Sequence, residues 1–351
     1  MSVEFRDVVK RYGSTVAVSA TSFTVETGTL VTLLGPSGCG KTTTLRLIAG
    51  LELPSEGRIL IAGRDVTRLG ASQRDVSMVF QSYALFPHMS TLENVCYGLL
   101  RSGKSRAVSE KSAREGLAQV GLSGYEMRQP SELSGGQQQR IALARALVLK
   151  PSVLLFDEPL SNLDTRLRRQ MREEIRDLQR TLGLTVVYVT HDQQEAMAVS
   201  DRIIVMNAGH IEQQGTPRDL YERPATSFMA KFMGESNSVR AQATRLSPQY
   251  VRLSIGQLSV DVPDDHSRNG QVMVALRPEA IAVDTAEDQP NTLAGIISKS
   301  SYLGTHMEYV IDTVIGPLFV ICSQVDRPLL PGQRVALRLA ARGMITVEDL
   351  V

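Results

Sequence analysis

The chain has few cysteines that could form disulfides and no long apolar run that could anchor it in a membrane. Its 351 residues include no tryptophan, only 5% aromatic residues and three cysteines, Cys39, Cys96 and Cys322. Their odd number, wide separation and lack of metal-site spacing argue against a disulfide framework and favour a reducing compartment. No apolar run approaches the roughly 18 residues of a membrane span, and the first seven residues do not resemble a signal peptide. We therefore expect a soluble protein that reaches a membrane only through a partner.

An excess of charge of one sign is also missing. Lysine and arginine number 38 and aspartate and glutamate 37, for a formal net charge of +1. Such a balance does not indicate nucleic acid or an anionic surface as the main partner. The length suggests two domains with separate cores. Composition shifts after about Gly234, which predicts domains at residues 1–234 and 235–351.

A glycine-rich turn between a strand and a helix dominates the first domain. Leu30 to Leu34 reads as a strand buried on both faces, and Lys41 to Ala49 has the make-up of a helix that stops at Gly50. Between them lies Gly35-x-x-x-x-Gly40-Lys41-Thr42, the phosphate-binding loop in the context that the motif requires.

The residue types of this loop suit a phosphate. Gly35, Gly38 and Gly40 allow backbone N–H groups to converge on an anion, and the following helix adds its positive end. Lys41 can reach the terminal phosphates, and the Thr42 hydroxyl can ligate Mg²⁺. A glycine-rich turn that matches by accident is the alternative, and the flanking strand and helix argue against it.

Polar side chains follow three further apolar strands. Gln81 follows Val76 to Phe80, Asp157 and Glu158 follow Val153 to Phe156, and His191 follows Thr185 to Thr190. Sheets of this class bind ligands outside the carboxyl ends of their strands. Read alone, these residues would be an ordinary loop glutamine, solvated turn acids and a structural histidine.

Together, these strand-end side chains suit phosphoryl transfer. Asp157 can hold Mg²⁺ through water, and Gln81 can offer its carbonyl to the ion and its amide to water. Glu158 can orient or deprotonate the attacking water. His191 can donate a hydrogen bond to the γ-phosphate.

A second candidate anion site lies on a different element. Residues from about 87 to 150 have helical periodicity, with helices expected over Ala107 to Val120 and Gln137 to Leu149. Before the second helix stands Ser134-Gly135-Gly136-Gln137, a good N-cap followed by exposed backbone donors. A plain capped helix start is the alternative.

The remaining features complete the predicted architecture. Tyr12 lies in an expected turn, Lys10 to Gly13, where it could stack on a base or be an ordinary turn tyrosine. Residues 239 to 351 form short alternating runs separated by turn clusters, typical of a barrel-like all-β domain. The fold class predicted is an α/β P-loop ATPase core with a helical subdomain at about 87–150, followed by a small all-β barrel-like C-terminal domain.

These motifs stand in order over residues 12 to 191, and together they resemble the ATP-binding subunits of ABC transporters. The resemblance is carried by Gly35 to Thr43, Gln81, Leu133 to Gln137, Leu154 to Glu158, Ser161 to Asp164 and His191, with no departure at any motif position. The C-terminal region, with Leu276-Arg-Pro-Glu-Ala-Ile281, resembles the oligonucleotide-binding-like domain of importer ATPases for maltose, polyamines, ferric iron and phosphonates.

The resemblance implies residue roles that the patterns alone do not. Tyr12 would stack on adenine, and Gln81 would sense both Mg²⁺ and the transmembrane partner. The Ser134 to Gln137 stretch would close over ATP bound to a second copy, with Asp164 crossing the same interface, so that each chain holds half of two sites. The residues of the phosphate loop that would contact ATP are Gly35, Pro36, Ser37, Gly38, Cys39, Gly40, Lys41, Thr42 and Thr43.

The resemblance also implies the cofactors and partners of an importer. ATP and Mg²⁺ are the cofactors, and the partners are a second copy, two permease subunits and, indirectly, an extracytoplasmic solute-binding protein. The chain would lie peripherally on the cytoplasmic face of the inner (plasma) membrane. Ser82 to Gly98 match the region that receives a permease helix, although their apolar residues could equally be core.

Two other functions are compatible with parts of the chain. A soluble ABC-type ATPase acting on ribosomes or DNA usually carries two ATPase cores or a long coiled coil and a basic surface, none of which this sequence shows. The β domain could instead be a ligand sensor that regulates the ATPase, which is compatible with an importer. The overall resemblance of the sequence to importer subfamilies ranks ferric iron first as the transported solute, before phosphonate and polyamine.

Overall fold

The chain packs as two compact units, Met1–Pro217 and Arg218–Val351. The computed structural model describes residues 2–263, 269–285 and 291–347. The predicted domain boundary at residue 234 falls inside the second unit, and the assignment of domains stays a prediction.

The first unit contains two sheets and a set of helices. Its strands are β1 (Val3–Tyr12), β2 (Thr15–Val25), β3 (Leu30–Leu34), β4 (Glu56–Ile61), β5 (Arg64–Asp65), β6 (Val76–Val79), β7 (Val153–Asp157), β8 (Val186–Thr190), β9 (Arg202–Asn207) and β10 (His210–Gly215). Its helices are α1 (Lys41–Ala49), α2 (Thr91–Arg101), α3 (Arg106–Gln119), α4 (Gly135–Leu147), α5 (Thr165–Leu182) and α6 (Gln193–Val199).

The six-stranded sheet has the order β10-β9-β3-β8-β7-β6 and is parallel except for the β9–β10 hairpin. All residues of β3 and β8 are buried, as expected for strands covered on both faces. The pairing sets Leu34 beside Thr190 and Asp157 beside Val189, so the carboxyl ends of these strands lie at one edge. The sequence prediction of strands ending in polar residues is confirmed.

The antiparallel sheet β2-β1-β4-β5 corrects one expectation. Tyr12 does not lie in a turn, because it is the last residue of β1 and pairs with Thr15 of β2. The turn is shorter, and Gly13 supplies it with a φ of +58°. The pairing of β1 with β2 has several register shifts, and these bulges break the two-residue alternation that delimits a strand in the sequence.

The helical segment agrees with its prediction to within two residues for α3 and for both ends of α4. Serine N-caps start α2, α3 and α4, at Ser90, Ser105 and Ser134. Apolar residues of these helices share one core cluster with Phe156 of β7 and Tyr188 of β8.

The second unit starts with two short helices and continues as antiparallel sheet. Its helices are α7 (Pro217–Glu222), which begins at the boundary, and α8 (Ser227–Phe232). Its strands are β11 (Asn237–Arg245), β12 (Tyr250–Ile255), β13 (Leu258–Pro263), β14 (Gly270–Leu276), β15 (Ile281–Asp284), β16 (Leu293–Tyr302), β17 (Met307–Thr313), β18 (Gly316–Cys322), β19 (Arg334–Leu339) and β20 (Met344–Val347). They form two five-stranded sheets, ordered β13-β12-β11-β14-β20 and β15-β19-β16-β17-β18, around one apolar core. The barrel-like all-β prediction is confirmed.

A buried arginine ties the helices of this unit to its sheet. Arg277 donates hydrogen bonds to the carbonyl oxygens of Ala230 (2.7 Å), Gly234 (3.2 Å) and Tyr221 (2.9 Å). Its guanidinium also lies 4.2 Å from the centroid of the Tyr221 ring. Because a buried cation needs partners on every side, this residue holds α7 and α8 against the end of β14.

A second buried arginine closes the helix that follows the phosphate loop. Arg74 is 6% exposed and donates to the carbonyl oxygens of Leu47 (2.6 Å) and Ile48 (3.0 Å) in the last turn of α1, and of Leu69 (2.9 Å). Helix ends leave carbonyls unpaired, and a cation there also interacts favourably with the helix dipole.

We expect Arg74→Met to lower the free energy of unfolding by about 2–4 kcal/mol, because it leaves these buried carbonyls without donors. Urea unfolding of the full chain measures the loss. The control is Arg106→Met, which breaks an ion pair with Glu110 from a side chain that is 82% exposed. That change should cost less than about 0.5 kcal/mol. Equal effects of the two substitutions would contradict this role of Arg74.

Candidate active site at the strand ends

The phosphate loop is shaped by glycines that admit no side chain. A Cβ on Gly35 would overlap the carbonyl oxygen of Met206, and one on Gly40 would overlap that of Ala17. Gly40 also has a φ of +104°, in the region that favours glycine. The loop is therefore held against β9 and against β2, and α1 begins directly after it.

Lys41 is buried and folds back over this loop. Its Nζ donates to the carbonyl oxygens of Gly35 (2.7 Å) and Pro36 (2.8 Å). Both partners are uncharged, so the bonds fix the position of the ammonium without cancelling its charge. The loop thus presents a fixed positive charge beside the N-terminus of α1, an arrangement suited to an anion.

Thr42, in the first turn of α1, lies beside Asp157, the last residue of β7. The Thr42 hydroxyl is hydrogen-bonded to the Asp157 carboxylate. Burial raises the pKa of Asp157, and the charge of Arg46 and the bond from Thr42 act in the opposite direction. Hydroxyl and carboxylate oxygens are ligands that Mg²⁺ prefers, so the residues present fit this ion.

Glu158 and His191 form a second pair at the same edge. The Nδ1 atom of His191 lies 3.1 Å from the Glu158 Oε2 atom. Glu158 has a φ of +45°, which is strained for this residue type, and its backbone N–H is anchored on the Val189 carbonyl (3.0 Å). This backbone conformation accompanies the contact between the Glu158 side chain and His191.

Gln81 contacts the turn that follows Glu158. Its side-chain Nε2 donates to the Ser161 hydroxyl (3.1 Å), and its backbone carbonyl oxygen accepts from the Asn162 side chain (3.0 Å). Ser161 Oγ in turn donates to the Glu158 carbonyl (3.0 Å). Gln81 is therefore linked to Glu158 through Ser161. Ser161 and Asn162 were not singled out in the sequence as site residues, although they stand in the quoted Ser161 to Asp164 motif.

A buried glutamate, Glu195, binds residues that precede His191 in the chain. Glu195 is 3% exposed, and its carboxylate accepts from the Tyr188 and Thr190 hydroxyls, the latter at 2.9 Å. Thr190 Oγ1 also accepts from the Asp192 N–H (3.0 Å). The residues on both sides of His191 are thus fixed to the first turn of α6.

Arg168 joins this segment to the start of α5. It donates to the Asp192 carboxylate (3.4 Å) and to the Leu163 carbonyl (3.1 Å). Asp164, next along the chain, is the N-cap of α5 and accepts from the Leu167 N–H (3.0 Å). Neither Arg168 nor Glu195 stood out in the sequence, because a charged residue within a helix is usually solvated and only tertiary structure shows its partners.

The Ser134 group and Tyr12 lie on other elements. Ser134 and Gln137 form a reciprocal capping box, in which Ser134 N donates to Gln137 Oε1 at 3.0 Å. Ser134 and Gly135 are exposed, whereas Gly136 is buried against Leu167. Within the described residues, no hydrogen bond connects Tyr12 or this group to the phosphate loop or the strand-end residues.

Comparison with known proteins identifies the family of the chain. The ABC transporter family model matches residues 18–161, and the TOBE domain model matches residues 274–347. The chain belongs to the ABC transporter family, as an ATP-binding and ATP-hydrolysing subunit of a membrane importer with a C-terminal β domain. Within the parts of the chain that the structure describes, no helix is long and apolar enough to cross a membrane.

Several known proteins are similar to the chain over most of its length. The chain is 55% identical to Fe(3+) ions import ATP-binding protein FbpC 1 of Rhizobium meliloti (strain 1021) over 347 residues, covering 99% of this chain and 98% of the relative. It is 52% identical to FbpC of Escherichia coli (strain K12), covering 88% and 87%. Among solved structures, the dimeric bacterial ABC transporter cassette MJ0796 is 32% identical with a TM-score of 0.55, covering 61% of this chain and 98% of that one.

The buried Glu195 predicts a pH dependence of stability. Burial raises the pKa of Glu195, so the folded chain keeps this proton to a higher pH than the unfolded chain does. As the pH rises above about 4.5, the ordinary pKa of a glutamate, the native chain should therefore lose stability relative to Glu195→Gln, which cannot ionise. The relative loss is at most about 1.4 kcal/mol per pH unit.

Urea unfolding of both chains at several pH values measures this difference. Glu115→Gln, which removes one exposed negative charge on α3, controls for net charge. A difference between the native and Glu195→Gln chains that stays constant with pH would contradict the account.

Proposed function

We propose that this chain powers the uptake of ferric iron. The observation that carries the proposal is the similarity to Fe(3+) import ATP-binding proteins, which extends over both units at 55% identity. The partners of an ATPase subunit hold the solute, so its own site does not report the cargo. Phosphonate and polyamine remain the competing solutes.

The residues at the strand ends supply the proposed ATPase chemistry. Gly35, Pro36, Ser37, Gly38, Cys39, Gly40, Lys41, Thr42 and Thr43 would hold the phosphates of ATP. Thr42, Asp157 and Gln81 would hold Mg²⁺, which when bound would neutralise phosphate charge. Glu158 orients or deprotonates the attacking water, and His191 binds the γ-phosphate and keeps Glu158 in position. The 3.1 Å contact between these two side chains supports their joint action.

Two copies of the chain complete the proposed sites. Ser134, Gly135, Gly136 and Gln137 would contact ATP held by the phosphate loop of the other copy, and Asp164 would cross the same interface. The exposure of Ser134 and Gly135 at the start of α4 supports this assignment. The solved cassette MJ0796 is dimeric by its title.

The permease would dock on the segment from Ser82 to Gly98. Phe86 is itself structural, because its ring packs on Tyr97 with centroids 4.6 Å apart and its backbone is held by Asn94. Pro87 and His88 are exposed beside it, and the exposed Met127 lies where the 126–128 backbone pairs with the start of α2. This surface would place the chain on the cytoplasmic face of the inner membrane, where the solute-binding protein acts only indirectly.

We expect Glu158→Gln to lower the rate of ATP hydrolysis by about 10²–10⁴-fold, the usual contribution of a general base. Because ATP binding does not need this carboxylate, the variant should accumulate as an ATP-bound dimer, measured by light scattering with Mg²⁺. As a control, Lys41→Ala should form no such dimer, since it loses the phosphate contact. Hydrolysis by Glu158→Gln at the native rate would rule out the assignment.

The solute is tested with the assembled transporter. Tagged chain captured from its native membrane with its permease subunits is reconstituted in vesicles, with ATP on the side of the ATPase. We expect ATP-driven accumulation of labelled Fe³⁺ delivered by the solute-binding protein, and none with the complex of the Glu158→Gln variant. Accumulation of an alkylphosphonate or a polyamine in place of Fe³⁺ would overturn the iron assignment and leave the importer intact.

A further inference from the structure

Tyr12 lies on the same hairpin as a residue that contacts the phosphate loop, and other residues hold its ring. It is 45% exposed and lies in the β1–β2 hairpin. Ala17 of the same hairpin touches the loop, since a Cβ on Gly40 would overlap its carbonyl oxygen. An exposed ring on a hairpin normally samples several rotamers, so something must fix it if it is to receive a base.

Lys10 lies over the ring of Tyr12. Its Nζ is 4.8 Å from the ring centroid, donates to the Leu53 carbonyl (2.9 Å) and pairs with Glu52 Oε2 at 2.8 Å. The Lys10 side chain is only 13% exposed, which is unusual for a lysine near the surface. Two partners, the Leu53 carbonyl and Glu52, therefore hold this ammonium against the aromatic ring.

Glu52 connects this pair to the helix of the phosphate loop. Its backbone N–H donates to the Arg46 carbonyl of α1 at 3.3 Å, directly after the end of that helix. The hydrogen bond from Lys10 lowers the pKa of Glu52, and the neighbouring Tyr12 side chain acts in the same direction. The Tyr12 ring thus lies against an ion pair that is itself joined to α1.

We propose that Lys10 and Glu52 are positioning residues that hold the Tyr12 ring ready for the nucleobase of ATP and join base binding to the phosphate-loop helix. The inference rests on the proposed role of Tyr12 as the base-stacking residue. The ring then loses little rotamer freedom when a base stacks on it. The ammonium also draws on the electrons of one ring face, which favours stacking of an electron-rich purine on the other.

A neighbouring ion pair shows what an ordinary surface pair looks like here. Arg11 and Glu56 lie on β1 and β4 at 3.8 Å, with side chains 51% and 64% exposed. Among the described residues, neither the Arg11 side chain nor the Glu56 side chain forms a cation–π contact with the Tyr12 ring. This pair carries the same charges close to the same site, so it is the matched control.

The experiment compares two ligands on the full chain. Binding of ATP and of inorganic tripolyphosphate, both with Mg²⁺, is measured by calorimetry for Lys10→Met, Glu52→Gln and the charge-balanced double variant. We expect the affinity for ATP to fall by about 3–10-fold, a part of the stacking free energy of a base on an aromatic residue. Affinity for tripolyphosphate should stay within about twofold, because this ligand has no base to stack on Tyr12. A long-range effect of the removed charge would instead weaken the binding of both ligands.

Further variants make the outcomes decisive. Arg11→Met and Glu56→Gln should change neither affinity, and Lys10→Arg should retain most of the ATP affinity because it keeps a cation over the ring. In a Tyr12→Ala background, Lys10→Met should have no further effect on ATP binding, because the ring it positions is gone.

The experiment distinguishes failure of the base-stacking role of Tyr12 from failure of the positioning role of Lys10 and Glu52. If Tyr12→Ala leaves ATP affinity unchanged, the proposed base-stacking role of Tyr12 is wrong. If Tyr12→Ala weakens ATP binding but Lys10→Met and Glu52→Gln do not, the stacking role stands and the positioning role is overturned. Equal losses for ATP and tripolyphosphate would also overturn it, because the pair would then act on the phosphates.

Discussion

The burial of neighbouring parallel strands on both faces is the constraint on which this site depends. β3, β8 and most of β7 are shielded from water, so they carry no charged side chain in their interior, and Asp157 stands at the end of β7. Parallel register brings those ends to one edge, where Asp157 ends β7, His191 follows β8 and the phosphate loop follows β3. The same burial that stabilises the core therefore gathers the reactive groups.

Those parts of the fold that follow from local chemistry were predictable. The phosphate loop, its helix from Lys41 to Ala49 and the cap at Gly50 are set by glycines and by helix-forming residues within one short segment. The β domain follows from alternation, because its strands are antiparallel and bury one face. Strand ends were predictable for the same reason, since an apolar run stops where a polar residue begins.

Other parts depend on contacts between distant segments and could not be read in sequence order. β1 and β2 are longer than expected, because bulges interrupt the alternation by which a strand is recognised in the sequence. Tyr12, expected in a turn, is therefore part of a strand. Glu195 and Arg168 look like solvated helix residues until the fold sets them behind His191. The ion pair of Lys10 with Glu52 joins residues on separate elements, and no local pattern marks it.

The central claim of the account is that each chain supplies half of two sites, the phosphate loop of one and the Ser134 to Gln137 stretch of the other. The most direct test introduces Lys41→Ala and Gly135→Asp separately into the Glu158→Gln chain, which keeps its bound ATP, mixes the two variants with ATP and Mg²⁺, and counts the nucleotides retained per dimer. A mixed dimer contains one intact site and one doubly altered site, so the account predicts one retained ATP, whereas neither variant alone retains any. Mixed dimers that form but retain no ATP would contradict a site shared between two chains.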